Sequence, residues 1–413
     1  MSGRISDAMK KYDLIIVGGC ASGLAAAINC KRLYPDKKVI VLEKLPRIGK
    51  KILATGNGKC NITNLDACSH SYRNKDFADF ALNKYNPKKI IGFFESMGLL
   101  CYADVCGRVY PESNMAASVL DALRFEAEKF SVEIRCEFAV SDIRKENGKF
   151  IVNNEFESEK IIIATGGKAS PPQGSDGSGY PIAKKLGHSL TSLHPALVPM
   201  TVSGETTKAL KGIRVRDVEL TLENGREIKK SRGEILFTEN GLSGIAAMEL
   251  AADAEVSVND VKKNAFTHID FMPAYSNNDL LEYLKNIRNI KGNLACEHLL
   301  SGALPKQVGI VICKVNKLYN AEKRIYEFSD SELKKLASSI KDFSLKVTGT
   351  KGFQNAQVTR GGVCVDEINP ETMQSEICKG LYFAGEIIDV DGDCGGFNLQ
   401  WAWASGMLAG ELK

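Results

Sequence analysis

The sequence has no uncharged apolar run of about 18 residues, so it offers no segment long enough to cross a membrane as a helix. Its first residues, MSGRISDAMKK, lack the apolar core and the small-residue cleavage site of a secretion signal. Lys and Arg (54) barely outnumber Asp and Glu (50), and a net charge of +4 over 413 residues does not indicate a nucleic-acid-binding protein. We therefore expect a cytoplasmic protein that acts on a small molecule.

Metal and redox patterns are also scarce. The 12 cysteines include no C-x2-C pair, and in a chain without a secretion signal we expect reduced thiols. Cys101 and Cys106 have the C-x4-C spacing of the redox pair in flavin disulfide reductases. In those enzymes the pair comes just after the first strand-helix-strand unit, and here it lies farther along the chain, so we expect buried free thiols. The acidic stretch 389–393 resembles a calcium loop, but its glycine comes two positions early and residue 400 is not acidic. The sequence predicts no metal site.

Residues 12–43 have the pattern of a strand, a glycine turn, a helix and a second strand. Tyr12–Val17 is an apolar run typical of a buried parallel strand, Leu24–Leu33 suits a buried helix, and Lys38–Leu42 is apolar again. Between the first strand and the helix stands the turn GGCASG, and Glu43 ends the second strand. This order is the fingerprint of a dinucleotide-binding unit. The residues of the turn predicted to bind the cofactor are Gly18, Gly19, Ala21, Ser22 and Gly23.

Each position of this fingerprint has a physical role. Gly18 makes the tight turn, Gly23 lets helix and strand pack closely, and the helix N-terminus offers N–H groups to a pyrophosphate. Glu43 would accept hydrogen bonds from the ribose hydroxyls. Cys20 stands where the fingerprint has its second glycine, so its side chain crowds the phosphates. The alternative interpretation is an ordinary turn between a strand and a helix.

Two further glycine-rich clusters follow. Residues 49–64, GKKILATGNGKCNITN, form a loop rich in hydrogen-bond donors, which could bind phosphate groups and the edges of a heterocycle. A solvated surface loop could have the same sequence pattern. Residues 381–404 place a strand end and a glycine turn before a helix that begins near Asn398. Flavoenzymes need an acid beside the ribityl chain, here Glu386, and a helix N-terminus at the N1–C2=O edge of the ring, where its dipole stabilises negative charge on the reduced flavin. Simple packing of a terminal helix is the alternative.

These strings together resemble the YhiN/BaiN-type flavoproteins, also described as NAD(P)/FAD-dependent oxidoreductases of the aminoacetone-oxidase family. The resemblance runs from about Tyr12 to Gly410 and is carried by GGxASGLAAA, ATGNGKCNITN, VTRGGV and LYFAGEIIDVDGDCGGFNLQWAWASG. It implies an α/β protein with a Rossmann-like FAD-binding domain, an inserted β-barrel-like domain and a small helical domain. Members usually carry glycine at the position of Cys20 and often tyrosine at that of Phe397.

The resemblance also implies which residues hold FAD. The adenosine end falls on residues 18–23, on Glu43 and Lys44, and on Val140 as a backbone contact. The flavin end and the segments beside it supply the remaining predicted residues, which are Lys51, Thr55, Gly56, Asn57, Gly58, Cys60, Asn61, Thr165, Gly166, Gly385, Glu386, Phe397, Asn398 and Leu399.

The chain divides by composition into one split domain and two inserts. We expect residues 1–190 and 345–413 to form the FAD-binding domain, 191–275 a β-rich insert on the substrate side and 276–344 a helical insert. Within the β-rich insert, Asn224-Gly225 predicts a two-residue hairpin and 241–252 a short helix. No internal repeat or low-complexity tract occurs.

The predicted function is hydride transfer between NAD(P)H, as a transient co-substrate, and a small organic acceptor through FAD. One branch of the family reduces conjugated double bonds of oxo-bile acids, and the most specific substrate that this resemblance implies is therefore a conjugated enone. Basic stretches such as 229–232 leave open a flavin-dependent nucleic-acid-modifying protein, and a flavin sensor without turnover is the third possibility. Catalytic residues, substrate, nucleotide preference and oligomeric state do not follow from the sequence.

Overall fold

The computed structural model describes residues 9–223, 228–259 and 264–413. The hairpin predicted at Asn224-Gly225 lies outside these residues. The chain forms two units, the first ending at His194 and resuming at Gln357, and the second comprising Pro195–Ala356.

The first unit contains most of the strands and helices. Its strands are β1 (Lys10–Val17), β2 (Val39–Leu42), β3 (Thr63–Asn64), β4 (Cys101–Ala103), β5 (Arg108–Pro111), β6 (Glu133–Arg135), β7 (Ile143–Glu146), β8 (Lys149–Val152) and β9 (Phe156–Ile163), then β17 (Val358–Arg360) and β18 (Leu381–Phe383), with β10 (His194–Ala196) at the boundary. Its helices are α1 (Ala21–Leu33), α2 (Lys50–Ala54), α3 (Lys75–Lys84), α4 (Pro87–Glu95), α5 (Ala116–Lys129), α6 (Gly179–Lys185) and α12 (Phe397–Ala409).

The core of this unit is a mixed sheet with the strand order β6-β2-β1-β9-β8-β7, in which β18 also pairs with β9. Strands β6, β2, β1, β9 and β18 run parallel, while β7 and β8 are antiparallel. The second half of β1, all of β2 and the end of β9 are buried, as expected for parallel strands covered on both faces. The predicted α/β class with a Rossmann-like parallel sheet is confirmed.

Helices α1 and α12, from opposite ends of the chain, pack against each other. A Cβ added at Gly406 would lie 2.3 Å from the backbone oxygen of Ser22, and one at Gly410 would lie 2.5 Å from that of Ala26. Both pairs advance by four residues in the same direction, so the two helices run parallel at close contact. Most of α12 is buried, including Trp401 and Gly406, and Gly410, which caps its C-terminus, is buried as well.

A small antiparallel sheet, β3-β5-β4, stands beside this core. Thr63 pairs with Val109 and Asn64 with Arg108, while Tyr110 pairs with Tyr102. In β5 the side chain of Val109 is buried, and those of the residues before and after it are partly exposed. Alternation along the strand therefore sends Arg108 and Tyr110 to the same face.

The second unit contains a closed barrel with the order β11-β14-β13-β12-β15-β16, within the described residues. Its strands are β11 (Met200–Val202), β12 (Arg214–Glu223), β13 (Ile228–Thr238), β14 (Gly241–Ser243), β15 (Phe266–Asp270) and β16 (Phe343–Thr350), and its helices are α7 (Thr206–Ala209), α8 (Ile245–Asn259), α9 (Asn277–Lys291), α10 (Lys306–Val315) and α11 (Asp330–Lys341).

Two details of this unit differ from the sequence analysis. The predicted helix over 241–252 begins only at Ile245, because 241–243 pairs as β14 and Gly244, with φ of +92°, breaks the chain between strand and helix. The unit also extends past residue 345 to Ala356, since β16 supplies a strand of the barrel. Among the described residues, none of the helices has the length and apolarity to cross a bilayer.

We predict that Gly406→Ala destabilises the first unit. The added methyl would meet the Ser22 carbonyl of α1 and push two rigid helices apart, which costs about 1–3 kcal/mol of unfolding free energy as overpacking does. Gly92→Ala in α4 is the matched control, because a Cβ there meets nothing within 4 Å. We expect this second change to be neutral or stabilising. Thermal unfolding of both variants measures the difference, and equal midpoints would contradict the prediction.

Candidate functional site

The turn between β1 and α1 leaves no room for side chains at two of its glycines. Gly18 has φ of +111°, and a Cβ on it would lie 2.3 Å from the backbone oxygen of Ala164. A Cβ on Gly23 would lie 1.9 Å from the oxygen of Gly18. Gly18 therefore makes the turn and Gly23 allows the close packing of helix on strand, as the sequence analysis predicts for this fingerprint.

The N-terminus of α1 points at this turn without a side-chain cap. Cys20 is the N-cap residue, but its side chain makes no capping hydrogen bond, and the first turn carries no acidic residue. The first N–H groups of a helix have no partner inside it and form the positive end of its dipole. Burial raises the pKa of the Cys20 thiol, so the side chain that replaces the expected glycine stays neutral. It adds bulk but no negative charge to a phosphate site.

Glu43 is buried, with 8% exposure, and its carboxylate holds the turn in place. Oε2 accepts the backbone N–H of Gly19 at 2.8 Å, and Oε1 accepts that of Leu45 at 2.9 Å. Each carboxylate oxygen has a second lone pair, so both can still accept a ribose hydroxyl. Glu43 therefore has a structural role that the sequence analysis missed, and its binding role stays a prediction.

The other residues of the adenosine end gather beside Glu43. The backbone oxygen of Glu43 accepts the N–H of Phe138 at 2.9 Å, which places the segment containing Val140 at the end of β2. Lys44 is engaged within the protein, since Nζ lies 2.5 Å from Asp176 and 3.1 Å from the hydroxyl of Ser178. Lys44 therefore positions the loop around residue 176, and any bond to a cofactor would compete with that carboxylate.

The glycine-rich loop 55–60 has an unusual backbone. Gly56, Asn57, Gly58 and Cys60 all have φ between +54° and +86°, the left-handed region. Thr55 stabilises the start of the loop, because its hydroxyl donates to the oxygen of Ile52 at 2.6 Å. This loop exposes residues 56–58, while Cys60 and Asn61 are buried. Its N–H groups can therefore face a ligand at a solvent-accessible edge.

A charged network ties this loop region to the turn after β18. Lys51 Nζ lies 2.6 Å from Oε2 of Glu386 and donates to the oxygen of Ala169 at 3.2 Å. The other oxygen of Glu386 accepts the N–H of Thr359 at 2.8 Å. A Cβ on Gly167 would meet both Thr359 and Glu386, at 2.4 and 2.8 Å. Lys51 neutralises Glu386, and the four segments are held together around it.

Helix α12 begins at Phe397, one residue before the predicted start. Its N-cap Gly396 has φ of +108°, and a Cβ there would lie 2.5 Å from the oxygen of Thr63. Asn398 does not face outward: its side chain exchanges hydrogen bonds with Gly392, donating to its oxygen at 2.8 Å and accepting from its nitrogen at 2.9 Å. The helix has no side-chain cap and no acid in its first turn, so the N–H groups near Leu399 form a second positive helix end.

These residues fit FAD. Because Gly406 lies level with Ser22, the N-terminus of α12 is eight residues, or about 12 Å, beyond that of α1 along parallel axes. Two uncapped helix ends at this separation suit the pyrophosphate and the flavin ring of one extended cofactor. Buried polar atoms without a hydrogen-bond partner, Oδ1 of Asn61 and Oγ1 of Thr165, lie in the segments that the sequence assigns to the cofactor.

The chain matches the HI0933-like protein Rossmann domain over residues 12–412. It belongs to this family. It is 36% identical over 407 residues to the 3-dehydro-bile acid delta(4,6)-reductase of Clostridium scindens, covering 96% of this chain and 97% of that protein. It is also 29% identical over 405 residues to the ribosomal RNA dihydrouridine synthase of Escherichia coli, covering 96% of each, and 30% identical to the protein of that name from Haemophilus influenzae.

Among solved structures, a mutant Escherichia coli quinol fumarate reductase chain is similar in fold, with a TM-score of 0.51 and 17% identity over 98% of this chain and 70% of that one. Family and fold together identify the HI0933-like chain as a flavin-dependent oxidoreductase with a Rossmann-type FAD-binding domain. The role of each site residue toward FAD stays a prediction.

The cysteines of this HI0933-like protein are all free thiols. Cys101 is partly buried, and burial raises its pKa to about 11, but Cys106 is exposed. The expectation of two buried thiols is therefore wrong for Cys106, because it lies in the turn between β4 and β5. No group of three potential metal ligands (His, Cys, Asp or Glu) occurs among the described residues.

Three residues of the site region escaped the sequence analysis. Thr359 positions both Glu386 and the backbone of Lys168 and Ala169, whose N–H groups its hydroxyl accepts at 2.8 and 2.9 Å. Arg108 and Tyr110, on one face of β5, lie beside Gly395 and Gly56, respectively. The alternation of residue types in RVYP could have predicted that Arg108 and Tyr110 share one face of a strand. Nothing in the sequence around Thr359 reveals its hydrogen-bond partners.

We predict that Glu43→Ala weakens FAD binding about tenfold to a hundredfold. The change removes acceptors for the ribose hydroxyls and for the N–H groups of Gly19 and Leu45, a loss of about 1–3 kcal/mol. FAD titration of apoprotein measures the affinity, and mass analysis of the cofactor released from the parent protein should give FAD and not FMN. Glu128→Ala, an exposed change on α5, is the control. Equal affinities in both variants would show that the ribose is held elsewhere.

Proposed function

We propose that this protein reduces a carbon–carbon double bond conjugated to a carbonyl group, with NAD(P)H as electron donor. The relatives named above support the reaction class. A 3-dehydro-bile acid with 4,6 unsaturation is a conjugated ketone, and dihydrouridine is uridine whose ring double bond, next to a carbonyl, has been reduced. A hydride added to the carbon remote from the carbonyl and a proton added to the nearer carbon would reduce such a double bond. The observation that carries the proposal is the pair of parallel, uncapped helix ends that suit FAD.

FAD, when bound, supplies hydride chemistry and stores the electron pair between two half-reactions. The protein supplies position and charge. The N-terminus of α1 and Glu43 would hold the adenosine half, Glu386 neutralised by Lys51 would hold the ribityl hydroxyls, and the N-terminus of α12 would stabilise negative charge at the ring. Catalysis then depends on placing the donor and acceptor carbons at reacting distance.

A small unsaturated ketone is the preferred substrate class. The relative with the higher identity acts on a bile acid. The basic stretch 229–232 does not present free charge, because Lys229 pairs with Asp253, Lys230 with Glu219 and Arg232 with Asp217. These pairs reduce the attraction that a polyanion would feel.

Ribosomal RNA is the second candidate substrate, because two relatives carry the name of an RNA-modifying enzyme and match over 96% of this chain. The same reduction chemistry would then act on a uridine base. The two candidates differ in the substrate that the protein recognises and not in the bond that it reduces.

The test offers both substrates to the FAD-loaded protein under anaerobic conditions with NADH or NADPH. One arm contains a 3-oxo-4,6-diene steroid acid, whose ultraviolet absorbance falls on reduction. The other contains ribosomal RNA from cells that lack this protein, with dihydrouridine measured by mass spectrometry. We expect steroid reduction and no new dihydrouridine. The reverse result would establish the RNA candidate, and no reduction in either arm would overturn the proposal.

We further predict that donor and acceptor take turns at one site. In the described residues the strand-turn-helix fingerprint occurs at β1 and α1, whereas β9 leads through Thr165 and Gly166 to the short helix α6 without such a turn. NAD(P)H therefore has no second nucleotide domain there and must occupy the same flavin face as the acceptor. Double-reciprocal plots of rate should be parallel, with excess acceptor competing against NAD(P)H. Intersecting lines would show that both substrates bind together.

A further inference from the structure

Strand β5 presents a cation and a hydroxyl on one face, next to the candidate flavin site. Arg108 and Tyr110 alternate with buried Val109, and the charged guanidinium of Arg108 lies near the Tyr110 hydroxyl. Asn64, opposite Arg108 in β3, donates to the backbone oxygen of Gly395 at 3.1 Å and so links this sheet to the turn before α12.

The position of the pair is set by two segments assigned to the flavin end. Nε of Arg108 lies 3.6 Å from the point where a Cβ of Gly395 would stand, just before the N-terminus of α12. The ring of Tyr110 lies 3.5 Å from the corresponding point of Gly56, in the left-handed loop. Arg108 and Tyr110 therefore stand between the loop and the helix end that would enclose the ring.

The guanidinium of Arg108 differs in its ion pairing, within the described part of the chain, from those of two other arginines. Among the described residues no carboxylate forms an ion pair with it, whereas Arg73 and Arg360 nearby in the fold both pair with Asp391. Burial raises the pKa of Tyr110, which keeps its hydroxyl protonated and able to donate. A partly buried cation and a neutral donor side by side form a site for an oxygen that carries negative charge.

Aromatic side chains lie next to this polar pair. The ring of Phe397 comes within 3.8 Å of the same Cβ point of Gly395, and the Tyr72 ring packs edge-on against it at 6.2 Å between centroids. The Tyr72 hydroxyl is occupied, since it donates to the oxygen of Phe397 at 2.7 Å. The surroundings of Arg108 thus combine an apolar ring surface with one strongly polar point.

We infer that Arg108 and Tyr110 bind and polarise the carbonyl oxygen of a cyclic unsaturated ketone. This inference rests on the proposed function. When a hydride adds to the β carbon of the enone, the electron pair of the double bond shifts and the carbonyl oxygen becomes an enolate oxygen. The two donors stabilise that oxygen, and the α carbon then takes a proton from water to give the saturated ketone. The hydride comes from NAD(P)H by way of the bound FAD.

The test uses 4-fluorophenol, whose anion resembles an enolate, with the oxidised FAD-loaded protein and no NAD(P)H. Fluorine NMR reports both binding and ionisation. We expect the bound phenol to be ionised at pH 8, although a free phenol titrates at about pH 10, as tyrosine does. Arg108→Gln should weaken binding at least tenfold, Arg108→Lys less, and Tyr110→Phe several-fold, with FAD content unchanged.

Two matched changes serve as controls. Arg124→Gln removes a surface guanidinium from α5, and Tyr102→Phe removes the neighbouring hydroxyl on β4, which bonds to Asn114. Both should bind 4-fluorophenol like the parent. The inference is overturned if the parent does not bind the phenolate, if Arg108→Gln binds it unchanged, or if Arg108→Gln loses FAD and so proves to be a cofactor contact. The binding test requires no turnover, so it is independent of the proposed function. If the protein binds the phenolate but reduces no ketone, the proposed function is wrong and the inference about Arg108 and Tyr110 is not.

Discussion

The close contact between α1 and α12 is the constraint on which the candidate site depends. Glycines at 406 and 410 bring the last helix onto the backbone of the first, so residues from opposite ends of the chain share one scaffold. Because the contact is backbone to backbone and repeats after one turn, it sets both the direction and the stagger of the helices. The stagger places two positive helix ends on the same side of the sheet, at a separation that suits one extended cofactor.

Charge in the site is arranged around those helix ends. The carboxylates of Glu43 and Glu386 are each held by protein donors, Glu43 by two backbone N–H groups and Glu386 by Lys51 and Thr359. Prior bonding fixes their orientation before a ligand binds and reduces the loss of side-chain freedom on binding. Arg108 differs from both, since among the described residues its guanidinium forms no ion pair with a carboxylate, and this difference is why we propose it as a substrate contact.

Local sequence patterns predicted the parts of the site that depend on local geometry. The turn at Gly18 and Gly23, the acid at Glu43 and the helix beginning near Asn398 follow from residue type and spacing, because backbone sterics and helix ends act over a few residues. Predictions about side-chain partners were less complete. Lys44 bonds to Asp176 and the Asn398 side chain to Gly392, which are contacts that spacing cannot reveal.

The sequence by itself determined the α/β class, the dinucleotide fingerprint and the resemblance to FAD-binding oxidoreductases, since these depend on buried strand patterns and on glycines that no other residue can replace. Only the tertiary structure decided that α12 lies parallel to α1, that Thr359 supports Glu386, and that Arg108 and Tyr110 lie beside Gly395 and Gly56. Those relations join residues up to several hundred positions apart. They are determined by packing and by the balance of charges in space, which periodicity along the chain does not encode.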